Sequence, residues 1–196
     1  MAKEKPDLSA VEVITPPVRL SFPALFEPKP RARGAEKLTF QATILIPPTV
    51  KLQPFVDAAK AAMIAKFGKV IPMQPGKNPI HKCEEKEYAG YEPGWHYIAL
   101  NSDRPPGVVD QRGVPITDPN KVYAGCWVNV YMNAYGWSHP TGGRGVSFGL
   151  NAVQFVKDDE RLDGRKSAKD VFEALELEDG EVPAGSVENL DDLFGG

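Results

Sequence analysis

The chain of 196 residues is poor in the side chains on which catalysis and covalent scaffolding depend. It has two cysteines, Cys83 and Cys126, and three histidines, His81, His96 and His139. Two thiols are too few for a disulfide framework. His81 and Cys83 stand two apart in H-K-C, but no second close pair completes a tetrahedral zinc site. No metal and no cofactor is therefore expected. P-loop and H-E-x-x-H patterns are missing. The carboxylates of E-E-K-E (84–87) form a charge run of the kind that faces water. The chain reads as a non-enzyme, with no catalytic residue to name. No apolar run approaches the ~18 residues of a membrane span, and the opening M-A-K-E-K-P-D-L-S-A has no apolar centre for export. A cytoplasmic protein with no membrane partner is the expectation.

What the chain does have is punctuation: 19 prolines and 18 glycines, together about 19% against roughly 12% in an average chain. Such a sequence argues against a helical bundle and for short strands. Hydrophobic residues at 42% and charged residues at 25% are ordinary globular usage, enough for one core and one domain, or one domain with a tail.

The net charge of −3 hides a split. Nine of the 26 acidic residues fall between 170 and 196, where there is no lysine or arginine. Residues 1–169 therefore carry 23 basic against 17 acidic side chains, a net of +6. A basic body with an acidic tail points to nucleic acid or another polyanion as partner.

Along the chain, residues 1–10 read as a disordered N-terminus. Residues 11–22 are apolar and β-branched, with Pro16 and Pro17 making an edge strand or a bulge. Residues 26–37 read as a turn-rich loop carrying Lys29, Arg31, Arg33 and Lys37. Residues 38–46 alternate as a half-buried strand. Thr49 could cap a helix whose periodicity runs over 55–67, with Pro54 near its first turn and Gly68 as its stop. Residues 69–94 read as a long polar excursion over one face. Strands are expected at 95–101, 123–137 and 146–156, with a hairpin-like loop over 139–145. The tail begins at 157, with a short helix expected over 167–175. The domain boundaries are thus 1–10, 11–156 and 157–196.

The segment 123–137, Y-A-G-C-W-V-N-V-Y-M-N-A-Y-G-W, is the most informative. At period 2, Cys126, Val128, Val130, Met132, Ala134 and Gly136 share a small aliphatic face, as a barrel interior would require. The other face carries Trp127, Tyr131, Tyr135 and Trp137, interleaved with Asn129 and Asn133. Bases stack on such rings irrespective of sequence. The competing reading is a second core beneath the excursion 69–94, or a barrel filled with aromatics; the pattern alone leaves open which face lies inside. Cations flank these strands in turns: Arg104, Arg112, Lys121 and Arg144, with Arg31 and Arg33 in the first loop. Rings with peripheral cations suit a single-stranded nucleic-acid groove, whereas duplex readout would call for a basic helix. The chain ends E-N-L-D-D-L-F-G-G. There Asp191, Asp192, Leu193 and Phe194 have the chemistry of a short docking motif, a ring for a pocket and carboxylates for its basic rim.

Six segments together carry a family resemblance: V-R-L-S-F (18–22), T-I-L-I-P (43–47), R-P-P-G-V-V-D (104–110), P-I-T-D-P (115–119), V-Y-A-G-C-W (122–127) and G-L-N-A-V-Q (149–154). In these the chain resembles phage-encoded single-stranded-DNA-binding proteins, a family similar to the replicative single-strand binders of T7-like phages. The resemblance implies an oligonucleotide-binding barrel and an acidic tail ending near an aromatic residue. Here Phe194 is followed by Gly195 and Gly196. It also implies a phage-encoded protein acting in the cytoplasm of a bacterial host.

The resulting expectation is a mainly-β protein. Its body is a five-stranded Greek-key barrel of the oligonucleotide-binding type, with one helix after strand two and a disordered acidic tail. It would bind single-stranded DNA without sequence preference in phage replication or recombination. Its tail would recruit replication proteins, polymerase or helicase/primase, and compete with DNA. The oligomeric state stays open, a homodimer being one option. The alternative is a β-rich phage structural or protein-adaptor module that binds no nucleic acid.

Overall fold

The computed structural model describes residues 9–31, 34–74 and 76–165. Arg33 and the tail residues Asp191, Asp192, Leu193 and Phe194 lie outside them, as does the helix expected over 167–175. Among the described residues the protein is mainly β with one α-helix. The strands are β1 (Glu12–Ile14), β2 (Val18–Pro30), β3 (Leu38–Ile46), β4 (His81–Lys82), β5 (His96–Ser102), β6 (Gly107–Val109), β7 (Trp127–His139) and β8 (Gly143–Lys157), and α1 (Gln53–Phe67) follows β3. The expected count of five is thus corrected to eight. The three additional strands, β1, β4 and β6, are two or three residues long, too short for an alternation to be read.

Five strands pair in a closed circuit. β2 is antiparallel to β3, β3 to β5, β7 to β8 and β7 to β2, while β5 and β8 run parallel. The short strands extend it. β1 continues the edge of β7 on which β2 is paired, and β6 continues the edge of β8 beyond β5. Pro16 and Pro17 separate β1 from β2 because neither can donate to the ladder. The preceding Thr15 bridges the gap: its N–H donates to the Val130 carbonyl and its hydroxyl accepts the Val130 N–H, both at 2.9 Å.

The loop expected over 26–37 begins later, because β2 runs on to Pro30. Its pairing with β3 slips between Ser21 and Ala24 and again between Ala24 and Lys29. Pro23 and Pro28 fall in these slips, so neither interrupts a bonded pair.

The helix starts at Gln53. Thr49 does not cap it; Leu52 takes the cap position without a side-chain bond, and Pro54 occupies the first turn, where a missing N–H costs nothing. Gly68 ends it in the left-handed region at φ 73°. Phe55, Ala58, Ala59, Ala62 and Met63 join Ile44, Ile46, Ile98, Val128, Val130, Met132 and Phe148 in one core. At Gly136 the helix meets β7 so closely that an added Cβ would come 2.6 Å from Lys66 Cβ. No helix among the described residues is long and apolar enough to cross a membrane.

The excursion 69–94 contains β4 and a 3-10 turn, Cys83–Glu85. β4 adds to the edge of β5, and the Cys83 N–H donates to the Trp95 carbonyl at 2.9 Å. Leu45 and Cys83 are fully buried but stand outside the main core.

Candidate nucleic-acid interface

The two faces of β7 separate as the alternation requires. Cys126 just before it, then Val128, Val130, Met132 and Ala134, are buried inside. Trp127, Tyr131, Tyr135 and Trp137 are half-buried on the outer side. Each of these rings has its own partner. Trp127 Nε1 donates to the Asp159 carboxylate at 2.7 Å, and Lys157 Nζ lies 5.1 Å over the indole. The Tyr131 hydroxyl donates to the Glu12 carboxylate; that bond lowers the pKa of Glu12 and raises that of the phenol. The Tyr135 hydroxyl points at Asn101 Oδ1, 3.4 Å away. Trp137 lies against Gly145, where a Cβ would come within 2.6 Å of the ring, with Lys77 Nζ 5.7 Å over it.

A different set of rings is contiguous. Phe22 meets Tyr88 edge-on with centroids 5.2 Å apart, Tyr88 meets Tyr91 at 5.3 Å, and Tyr91 meets Tyr97 at 5.4 Å. His81 then stacks on Tyr97 at 4.8 Å and 17°. This ladder follows from the pairing of the sheet. Tyr97 stands opposite Leu45 on one side and His81 on the other. Phe22 is delivered by the first slip in β2, and Tyr88 and Tyr91 by the segment between the 3-10 turn and β5. Together with Gln41, Asn101, Arg31 and Lys86, the four rings Phe22, Tyr88, Tyr91 and Tyr97 line a cleft of about 480 Å³. The same register continues from Leu45 through Arg19 to Trp127, and Trp95 lies 6.2 Å from Trp127.

Burial pushes the Tyr91 phenol up to about 12 and raises that of Tyr97. Desolvation lowers the pKa of His81. The Tyr91 and Tyr97 phenols of the cleft are therefore uncharged at neutral pH, with Arg31 and Lys86 beside them. Burial also pushes the Cys83 and Cys126 thiols up to about 11, so neither is the thiolate that nucleophilic chemistry needs. Among the described residues, no three His, Cys, Asp or Glu side chains converge as a metal site would require.

Of the residues singled out from the sequence, the cleft takes Arg31 directly and Tyr135 through Asn101. The other cations have different surroundings. Arg104 follows β5, its N–H on the Ser102 hydroxyl at 3.1 Å. Arg112 is 87% exposed, 3.9 Å from Asp110 in a turn held by that carboxylate. Lys121 shares a cleft with Asp110, Asp118 and Asp158. Arg144 lies 5.8 Å over the Phe67 ring. Phe22, Tyr88, Tyr91, Tyr97, His81 and Lys86 escape period-2 reasoning because they come from separate segments. The available signal was density: Tyr88, Tyr91, Trp95 and Tyr97 lie within ten residues.

The architecture is shared with phage-encoded single-stranded-DNA-binding proteins. The single-stranded DNA-binding protein from bacteriophage Enc34, solved in complex with ssDNA, aligns with TM-score 0.63 and 20% identity over 76% of this chain and 87% of that one. The single-stranded DNA-binding protein gp2.5 encoded by bacteriophage T7 aligns with TM-score 0.54 and 15% identity over 80% of this chain and 97% of that one. The chain belongs to the Enc34 ssDNA-binding family: the model described as "Enterobacter phage Enc34, ssDNA-binding protein" matches residues 11–182. Protein p50 of Acyrthosiphon pisum secondary endosymbiont phage 1 is 31% identical over 160 residues, which is 75% of this chain and 84% of p50. The relationship expected from the six sequence segments is borne out.

Proposed function

We propose that the protein binds single-stranded DNA without sequence preference, as an accessory of phage replication or recombination. The observation that carries this is the contiguous ladder from Phe22 to His81, edged by Arg31 and Lys86, in a chain of this family. In this reading the circuit β2-β3-β5-β8-β7 is an oligonucleotide-binding barrel. Such barrels take their ligand on the second and third strands and on the loops flanking them; those strands are β3 and β5, the ones under the ladder. Rings accept bases of any sequence, and the cations neutralise phosphates. Of the β7 rings, Tyr135 adjoins this surface, and Trp127 extends it beyond Arg19.

Titration with an unstructured oligonucleotide, followed by intrinsic tryptophan fluorescence, tests the reading. Saturable binding that weakens with salt supports it, and no binding at low salt returns the protein to an adaptor role. The salt dependence also locates the phosphates. For single strands the log–log slope is about −0.7 per phosphate neutralised. Arg31→Ala should reduce the slope by about that amount. Arg112→Ala should leave it unchanged, since Arg112 lies outside the cleft.

The tail completes the proposal. Its nine carboxylates, tethered to a body of net +6, are at high effective concentration near any cationic groove and compete with DNA. Asp191, Asp192, Leu193 and Phe194 would dock replication proteins such as a polymerase or helicase/primase. Deleting 170–196 should tighten DNA binding about two- to tenfold at low salt, where screening is weak. Phe194→Ala should leave DNA affinity unchanged and abolish a polymerase or helicase pull-down. Equal affinity with and without the tail at low salt would remove the competition.

A further inference from the structure

We propose that Phe22 is a stacking wedge: its ring takes a base of the bound strand, and its strained backbone serves that contact rather than the fold. Among the described residues Phe22 alone is a non-glycine with positive φ, at 45°. That region is disfavoured for a bulky side chain. The ring repays little by burial, being 56% exposed. Its ring neighbour, Tyr88, is itself 52% exposed. The residue lies in the first slip of β2, where no ladder bond fixes it. A fold served only by packing would do better with glycine or asparagine at this place.

The position explains what the ring could do. Phe22 stands where two clefts meet. One is the ladder cleft with Tyr91 and Arg31; the other, of about 700 Å³, has Tyr123 and the Arg161–Asp163 ion pair on its wall. Lys29 and Arg31 also line the surface beside it. A polyanionic strand lying in the ladder cleft and continuing into the second must pass this ring, with cations on hand for its phosphates. A flat, neutral, open ring at that point suits a nucleobase better than a phosphate or a sugar.

This inference rests on the single-strand reading, and the experiment separates the two. The full chain would be titrated with a fluorescent oligothymidylate as wild type, Phe22→Asn and Phe22→Trp. Melting temperatures would be measured alongside, and the wild type photo-crosslinked to a 5-iodouracil oligonucleotide. Phe22→Asn should weaken binding about 5- to 150-fold. Its melting temperature should equal or exceed that of wild type, since asparagine tolerates the left-handed region. Phe22→Trp should keep the affinity, and a crosslink should map to the peptide containing Phe22. Wild-type affinity in Phe22→Asn would overturn the wedge while leaving the single-strand reading intact. So would a melting temperature several degrees lower, which would make the ring a part of the fold. Failure of the wild type to bind would overturn both.

Discussion

Tyr88→Ala should weaken single-strand binding by roughly 1–3 kcal/mol and leave the melting temperature unchanged. The ring is 52% exposed, so its removal uncovers little that the fold needs. It occupies the second place in the ladder, in edge contact with Phe22 on one side and Tyr91 on the other. Its loss would open a gap in a surface whose value to a base is its continuity. Tyr131→Ala is the control. Tyr131 is committed through its hydroxyl to Glu12 on β1, away from the cleft, so binding should change by less than about 1 kcal/mol, the smallest effect expected of a stacking ring. Oligonucleotide titrations of the two variants, with melting curves, decide the matter. A large loss in Tyr131→Ala with none in Tyr88→Ala would move the binding surface to the outer face of β7.

Gly125→Ala should destabilise the body by about 3 kcal/mol, which for a chain of this size lowers the melting temperature by roughly 6–12 °C. Gly125 has φ 113°, and an added Cβ would overlap the Glu160 carbonyl. Neither group is the end of a flexible side chain, so the backbone must part. What parts is the stretch 158–165, which follows β8 and folds back on the body. Its anchors are the Tyr123 hydroxyl on Asp158 at 2.7 Å, Trp127 Nε1 on Asp159, Arg19 on the Glu160 carbonyl at 2.9 Å, and the Leu162 N–H on the Ala124 carbonyl at 2.9 Å. Differential scanning calorimetry would report the loss. An unchanged melting temperature would mean that this stretch contributes nothing to stability.

Much of this architecture was legible from local chemistry. The strand at 38–46 and the helix ending at Gly68 follow from periodicity and a left-handed stop. The aliphatic face of β7 is buried, as its small residues suggest. The reading fails where tertiary pairing overrides local signals. Pro28 and Pro30 read as loop, yet β2 carries them because its second slip leaves Pro28 without a pair to break. The 69–94 excursion, read as loop, supplies a short strand for the edge of β5. The ring ladder was illegible for a related reason. Tyr97 and His81 become neighbours only through the β4–β5 pairing, and Phe22 reaches Tyr88 only through a slip that no sequence pattern announces. The alternation of β7 is visible within one segment; that two of its four rings, Tyr131 and Trp127, bond to the N-terminal edge strand and to the stretch after β8 is not.

The closed circuit also governs how the chain can acquire its shape during synthesis. Val18 pairs with Val128, and Leu100 pairs with Phe148, so neither closure can occur until nearly all of the body has left the ribosome. Before then, β2, β3 and β5 form an open meander, one edge bare and the other carrying only β4, and α1 lacks the β7 face it packs against. Such long-range closures make folding slow, on the millisecond-to-second scale, and leave those edges free to pair with other nascent chains. A product truncated before Gly143 would lack the strand that joins β5 to β7. It should accumulate as aggregate rather than as a smaller working protein.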